Sequence, residues 1–412
     1  MKRSLIIIAV IFLVASGRNI FAQDYQKVEN AEHLVVYQED GKFLGWPANN
    51  GAWTADGVNM LVGFTHGDYL LRRGHNIGEN QVSWLARSTD MGQTWKAYNP
   101  VDYVGDFGEE PELKTLENPI DFSHPQFALR VVGTAYHGAY DPRGHFFFSY
   151  NAGKSWNGPY RFGTDNIRQW PELKSTTLPE ETELTPRTDY LVEGKNKCLV
   201  FMSVRAKDKF GTDKIFCMRT VDGGKTFNFV GWVVPPYDEK NDEPVKVKLE
   251  DDDAKNPHPN QCRAVMPQTI RLKSGKLICA MRRRYETHNW VDAYVSEDNG
   301  KSWKFLSEVG DAGAGNGNPP ALNITEKGRL VAAFGNRKEP GTIMVVYSDD
   351  EGNSWSEAKI LRDGYGSVDM ETADLGYPRL LRRKDGKMVA LYYWSTKDCL
   401  HHIAATIWDA DK

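Results

Sequence analysis

One eight-residue pattern, Ser/Thr-x-Asp-x-Gly-x-Ser/Thr-Trp/Phe, limits what this chain can fold into. It occurs as Ser88-Thr-Asp90-Met-Gly92-Gln-Thr94-Trp95 and as Thr220-Val-Asp222-Gly-Gly224-Lys-Thr226-Phe227. It returns as Ser296-Glu-Asp298-Asn-Gly300-Lys-Ser302-Trp303 and Ser348-Asp-Asp350-Glu-Gly352-Asn-Ser354-Trp355. A further copy, Ser149-Tyr-Asn151-Ala-Gly153-Lys-Ser155-Trp156, has Asn for Asp. Asp or Asn ties a turn by accepting backbone N–H groups just ahead of it. Gly supplies the positive φ that a tight hairpin needs. The Trp or Phe then opens the next strand and packs under the turn. Strand-like runs precede the copies, as at Ile343–Ser348 and Phe146–Ser149. Asp90, Asn151, Asp222, Asp298 and Asp350 therefore read as structural turn residues.

A second repeat alternates with these boxes: Pro, then Leu or Ile, a polar turn with Gly, and an apolar strand. Its copies begin at Pro267, Pro319 and Pro378 and end in Leu277–Met281, Leu330–Phe334 and Met388–Leu391. Helical periodicity is nearly absent. Together the repeats describe four-strand units of roughly 50–75 residues, and radial repetition of such units is a β-propeller. The expected fold is all-β, a six-bladed β-propeller over residues 23–412, with seven blades as the alternative. Five blades carry a box. The sixth is the Pro378–Trp408 region, closed by an amino-terminal strand around His33–Tyr37. Pro235–Pro259 and Gly105–Asn118 read as long surface loops that shape a site.

Residues 1–22 are read apart from the fold. Lys2-Arg3, the apolar run Leu5–Ala15 and Ala22 before Gln23 have the pattern of a signal peptide. The apolar run is short for a membrane span, and no later segment qualifies. The mature chain is expected to be exported, periplasmic or extracellular. Five cysteines without CxxC spacing support no zinc or redox motif, and most should be buried strand thiols. Lys+Arg 51 against Asp+Glu 55 gives a net charge of −4, so nothing suggests nucleic-acid binding. No metal-ligand spacing is present, and no cofactor is expected. The 12 Trp and 18 Tyr suit strand packing, and exposed aromatic faces also suit sugar rings.

With five boxes in place, the chain resembles the sialidase superfamily, the Asp-box propellers, over nearly its whole mature length. The resemblance implies a nucleophilic tyrosine, which Gly376-Tyr377-Pro378-Arg379-Leu380 places at Tyr377. It implies an arginine closing the strand after a Gly-containing turn, which Ser274–Arg282 places at Arg282. It implies another after a Phe-x-Asn strand end, which Phe334-Gly335-Asn336-Arg337 places at Arg337. All three are expected at ends of inner strands. Two guanidiniums beside a phenol would hold a carboxylate and favour phenolate.

The chain also departs from that pattern. The family's first arginine is missing from Phe43-Leu44-Gly45-Trp46-Pro47-Ala48-Asn49-Asn50. The tyrosine-activating glutamate falls near Met266, where the nearby charge is the cation Arg263. The stretch that should carry the acid/base Asp contains Asp68, His66, Arg72, Arg73 and His75. Replacement groups can be named. Trp46 with Asn49 and Asn50 offers a stacking face and amides. His66 and His75 could move protons near neutral pH. Asp121, His124, Arg187, Asp189 and Tyr190 are polar groups where strands begin. Glu371, six residues before Tyr377, could stand in for the missing glutamate. The expected catalytic set is Tyr377, Glu371, Asp68 and His75. The expected substrate-binding set is Arg282, Arg337, Arg263, Trp46, Asn49, His66 and Arg187.

These residues suggest an exported exo-acting glycoside hydrolase, cleaving a terminal and in one version acidic sugar from an oligosaccharide or glycoconjugate. The alternatives are a non-catalytic glycan-binding propeller, an exo-acting rhamnosidase or a lyase on uronate-linked sugars, and a protein-interaction propeller. Oligomeric state is left open.

Overall fold

Each box is a hairpin turn joining the third strand of an antiparallel meander to its outermost strand. In the first, Thr94 N donates to Asp90 Oδ1 at 2.9 Å and Gly92 N donates to Ser88 Oγ at 2.8 Å. Trp95 Nε1 donates back to Gly92 O at 2.9 Å, which pins the ring under the turn. The Asn151 copy keeps this geometry: its Oδ1 accepts from Ser155 N at 2.9 Å and its Nδ2 donates to Ser155 Oγ at 2.7 Å. The residue before each glycine is also left-handed, with φ of 62° at Met91, 54° at Ala152, 61° at Asn299 and 61° at Glu351. Two successive positive-φ positions match the twist of a two-residue hairpin, so the turn asks more of the backbone than the glycine alone reveals.

The computed structural model describes residues 25–72, 74–78, 81–100, 102, 112–133, 143–163, 167–174, 181–207, 209, 211–238, 240–242, 257–366 and 373–412. Residues 1–22 and most of the two long loops lie outside these. The described chain forms six sheets around one axis. Blade 1 has a split inner strand, Lys42–Gly45 and Ala52–Thr54, broken by a helical turn at Pro47–Asn50. Met60–Asp68, Val82–Ser88 and Lys96–Tyr98 follow outward. Blade 2 has three strands among the described residues, Ala128–Val132, His145–Ser149 and Asn157–Arg161. Blade 3 splits its inner strand into Thr182–Leu184 and Tyr190–Gly194, then continues through Lys197–Ala206, Lys214–Thr220 and Asn228–Val234. Blade 4 runs Arg263–Arg271, Leu277–Tyr285, His288–Ser296 and Lys304–Asp311. Blade 5 runs Ala321–Ile324, Leu330–Asn336, Thr342–Ser348 and Lys359–Arg362. Blade 6 takes Gly376–Arg382, Met388–Trp394 and His402–Trp408 from the carboxyl end and Glu32–Tyr37 from the amino end. That last strand pairs antiparallel with its neighbour, Glu32 opposite Ile407 and Leu34 opposite Ala405.

The core lies between blades. Successive side chains of a strand point to opposite faces, so each middle strand serves two neighbours. In blade 4, Leu277, Cys279 and Met281 pack on blade 3, whereas Ile278 and Ala280 pack on blade 5. Six apolar clusters result, one per blade-to-blade interface. Strands covered on both faces read as continuous apolar runs instead of alternating ones. All five cysteines are free thiols, four of them buried.

Candidate active site

Inner strands begin at one end of the axis, and there the sequence repeatedly places a residue before proline. Three such residues, Trp46, Met266 and Tyr377, have left-handed backbones, with φ of 59°, 61° and 51°. The strands of Met266 and Tyr377 slip register at the same points, between Val265 and Gln268 and between Gly376 and Arg379. A bulge of this kind re-aims a side chain, and each left-handed non-glycine residue costs about 1–3 kcal/mol. The outcome is that Trp46, Met266 and Tyr377, from blades 1, 4 and 6, share one buried cluster on the axis. Asn318, completely buried at the corresponding point of blade 5, fixes the last of them. Its Oδ1 accepts from Tyr377 N at 2.7 Å and its Nδ2 donates to Leu375 O at 2.7 Å. Gly376, at φ 100°, leaves room for that amide, and any Cβ there would collide with it.

Tyr377 is buried, and Arg282 Nη1 lies 3.4 Å from its hydroxyl. Arg337 sits over its ring at 5.4 Å. Burial alone would raise the phenol pKa. Arg282, Arg337, Arg187 and Arg263 outweigh it and lower the pKa below the ordinary 10. The sign is reasonable: one guanidinium about 4 Å from a phenolate is worth about 4 kcal/mol at an effective dielectric of about 20. Tyr377 opens the inner strand of blade 6. Arg282 belongs to the second strand of blade 4 and Arg337 follows the second strand of blade 5. The two arginines therefore reach the axis from second strands, not from the inner-strand ends expected of them.

A carboxylate stands beside this group, although not the one the sequence suggested. Asp374, three residues before Tyr377, accepts from His75 Nδ1 at 2.9 Å, from Asn76 N at 3.4 Å and from Arg337 Nη2 at 3.4 Å. The Tyr393 hydroxyl also donates to it. Burial works to raise the Asp374 pKa, but His75, His401 and Arg337 hold it well below the carboxylate range. Arg337 is further fixed by Leu375 O at 3.1 Å and the Tyr393 hydroxyl at 2.6 Å. The imidazole of His75 stands edge-on to Tyr377, ring centres 6.5 Å apart. The arrangement is thus a buried Asp374 orienting His75, next to a phenol activated by arginines.

Arg263 and Arg187 also belong to this end of the axis. Arg263 donates to buried Asp213 at 2.7 Å, and Arg187 donates to Asn49 Oδ1 and to Pro186 O. The remaining expected residues are not placed as the sequence suggested. Trp46 is completely buried, its ring 4.8 Å from Phe43 and 4.9 Å from His75, so it offers no open stacking face. His66 packs flat on Trp84 at 4.4 Å and bonds Glu39 at 2.9 Å, because its strand turns it into the interface between blades 6 and 1. Asp68 is exposed at the end of that strand and pairs with Lys42 at 2.7 Å. Glu371 lies outside the described residues. The box residues Asp90, Asn151, Asp222, Asp298 and Asp350 all bond their own turns.

Asp374, Asp213, Asn318 and Tyr393 were missed in the sequence. Asp374 stands in the stretch that drew attention to Glu371, and Asn318 precedes a proline at an inner-strand start. Those two had a visible signal. Asp213 and Tyr393 had none, since their partners are far away in the chain.

Fold and site define an Asp-box propeller with a tyrosine–arginine cluster on its axis. Residues 84–390 match the BNR repeat-like domain, and the chain belongs to that family. None of the curated proteins matches it. Among solved structures, a protein of unknown function from Dyadobacter fermentans DSM 18053 is 17% identical, with a TM-score of 0.64 over 92% of this chain and 99% of that one. The Hadza microbial sialidase Hz136 is 14% identical, with a TM-score of 0.55 over 90% of this chain and 66% of that one. The α-L-arabinofuranosidase Arb93A of Fusarium graminearum is 14% identical, with a TM-score of 0.54 over 91% and 98%. At such identities the likeness is one of fold, a sialidase-like propeller that glycoside hydrolases use.

Proposed function

We propose that this protein is an exo-acting glycoside hydrolase in which Tyr377 is the nucleophile and His75 the proton carrier. The observation that carries the reading is the Tyr377 hydroxyl held by Arg282 beside the Asp374–His75 pair. In the first step the phenolate oxygen attacks the anomeric carbon. The bond to the leaving oxygen breaks, and His75 gives that oxygen its proton. In the second step water attacks the same carbon, His75 takes the proton, and the Tyr377–sugar bond breaks. Asp374 holds the orientation and tautomer of His75. The arginine cluster makes a terminal sugar bearing a carboxylate the favoured substrate. Resemblance in fold to a sialidase and an arabinofuranosidase supports glycan cleavage without choosing the sugar. The amino-terminal pattern of residues 1–22 supports a reaction in the periplasm or the exterior, and a mature protein beginning near Gln23 is the expected finding from amino-terminal sequencing.

The test is release of reducing sugar from sialosides and from rhamnose-, arabinose- and uronate-capped chains. Turnover of one of them should fall by about 10³-fold or more in Tyr377→Phe, with the fold intact by circular dichroism. Unchanged turnover in that variant would end the nucleophile role. A second reading, elimination across a uronate with Tyr377 as base, follows from the same phenol and arginines. An unsaturated product in place of a hydrated one would select it.

A further inference from the structure

The other end of the axis opens into a cavity of about 700 Å³. Two residues along the inner strands from Arg187, Met266 and Tyr377 stand Asp189, Gln268 and Arg379, which line it. Gln268 Nε2 donates to Asp189 Oδ1 at 3.3 Å, Arg379 Nη1 donates to Gln268 Oε1, and Arg379 Nη2 donates to Ala48 O at 2.6 Å. This row of planar polar groups separates the cavity from the tyrosine site. Blade 2 has no inner strand among the described residues, and side chains satisfy the edge left over. Leu129 N donates to the Tyr190 hydroxyl at 3.3 Å, Val131 N donates to Thr188 Oγ1 at 3.1 Å, and Trp53 Nε1 donates to Leu129 O at 3.2 Å. Trp53 and Tyr190 are thereby fixed as aromatic walls, joined by Phe127. A second cavity of about 200 Å³ shares Trp53 and Phe127 and leads outward past Asn59, Gln126 and Asn151.

We propose that these neighbouring cavities, which share a wall, form a second carbohydrate-binding site, distinct from the tyrosine site, that holds a neutral, unbranched oligosaccharide. A sugar ring presents an apolar C–H face, which suits indole and phenyl walls. It also presents hydroxyls in the ring plane, which suit carboxamide, carboxylate and guanidinium groups. The volume is that of a site enclosing a few rings. The rim mixes Asp56 and Glu326 with Arg382 and Lys384, so no single sign of charge selects a polyanion. The site needs no turnover, so it goes beyond the glycosidase reading.

The experiment is calorimetric titration of Tyr377→Phe protein with cellotetraose, xylotetraose, mannotetraose and tetragalacturonate. Saturable binding of at least one neutral chain is expected, weakened about tenfold or more by Ala55→Trp, which adds bulk to a residue that lines both cavities. The double variant Asn59→Ala/Gln126→Ala, which truncates two exposed side chains, should weaken it as well and covers the case in which Ala55→Trp does not fold. Binding by none of the neutral chains, binding by tetragalacturonate alone, or neutral-chain binding untouched by folded variants would overturn the proposal. Because titrations use protein lacking the Tyr377 hydroxyl, a failure here is separate from a failure of the hydrolase reading.

Discussion

Tyr377 sets two opposing effects against each other: burial keeps a phenol protonated, and nearby guanidiniums make it acidic. The second wins at this site. Difference titration of the wild type against Tyr377→Phe should show one phenol ionising below pH 10, missing from the variant. Asp374 carries comparable weight for stability. Asp374→Asn removes the charge facing His75 and Arg337 and should cost about 3–5 kcal/mol, read by urea denaturation, because it leaves a buried cation without its partner. Asp189 contributes to the pH dependence with a definite sign. Burial pushes its carboxyl up to about 7, against hydrogen bonds from Thr269 and the charge of Arg379. Between about pH 4 and 7 Asp189 in the folded state keeps a proton that the unfolded chain has released, so its own contribution to stability falls as pH rises through that window, while buried His401 and His402, whose pKa burial lowers, act in the opposite sense. Asp189→Asn should flatten that slope in thermal melts. Tyr377, Arg282 and Arg337 could be named from the sequence only through the family resemblance of the short motifs around them, and both arginines come from second strands and not from inner-strand ends. Asp374 was half legible and Asp213 not at all, because a long-range ion pair leaves no local trace. Trp46 misled, since the left-handed turn before Pro47 folds its ring inward.

Among elements, the box turns were the most readable, since five residues in fixed spacing dictate one hairpin. What the spacing hid was the second left-handed position, which has no preferred residue: Met91, Ala152, Asn299 and Glu351 all occupy it. Asp90→Ala should cost about 1–2 kcal/mol by removing the acceptor for Thr94 N and Oγ1. Asp90→Asn should cost less, because Asn151 already performs the same task one blade later. Chemical denaturation of both variants checks the order. Blade 2 was legible by its box and strands; that its described residues hold no inner strand was not. Where a segment contributes no ladder, composition gives no warning, and the covering hydroxyls of Thr188 and Tyr190 lie in another blade.

At the scale of the molecule, six interfaces of similar kind share the burial, and the ring persists because the amino-terminal strand completes blade 6. Removing residues 25–37 should expose the edge of His402–Trp408 and give a chain that self-associates, seen by light scattering at temperatures the full protein tolerates. The pairing of Glu32 with Ile407 also bears on how the protein is made. The contact can form only after all the residues between Glu32 and Ile407 have been made, and pairings between distant positions fold slowly. Any interrupted translation product therefore lacks the partner of its first strand. The clasp makes the first strand of the propeller one of the last to find its partner.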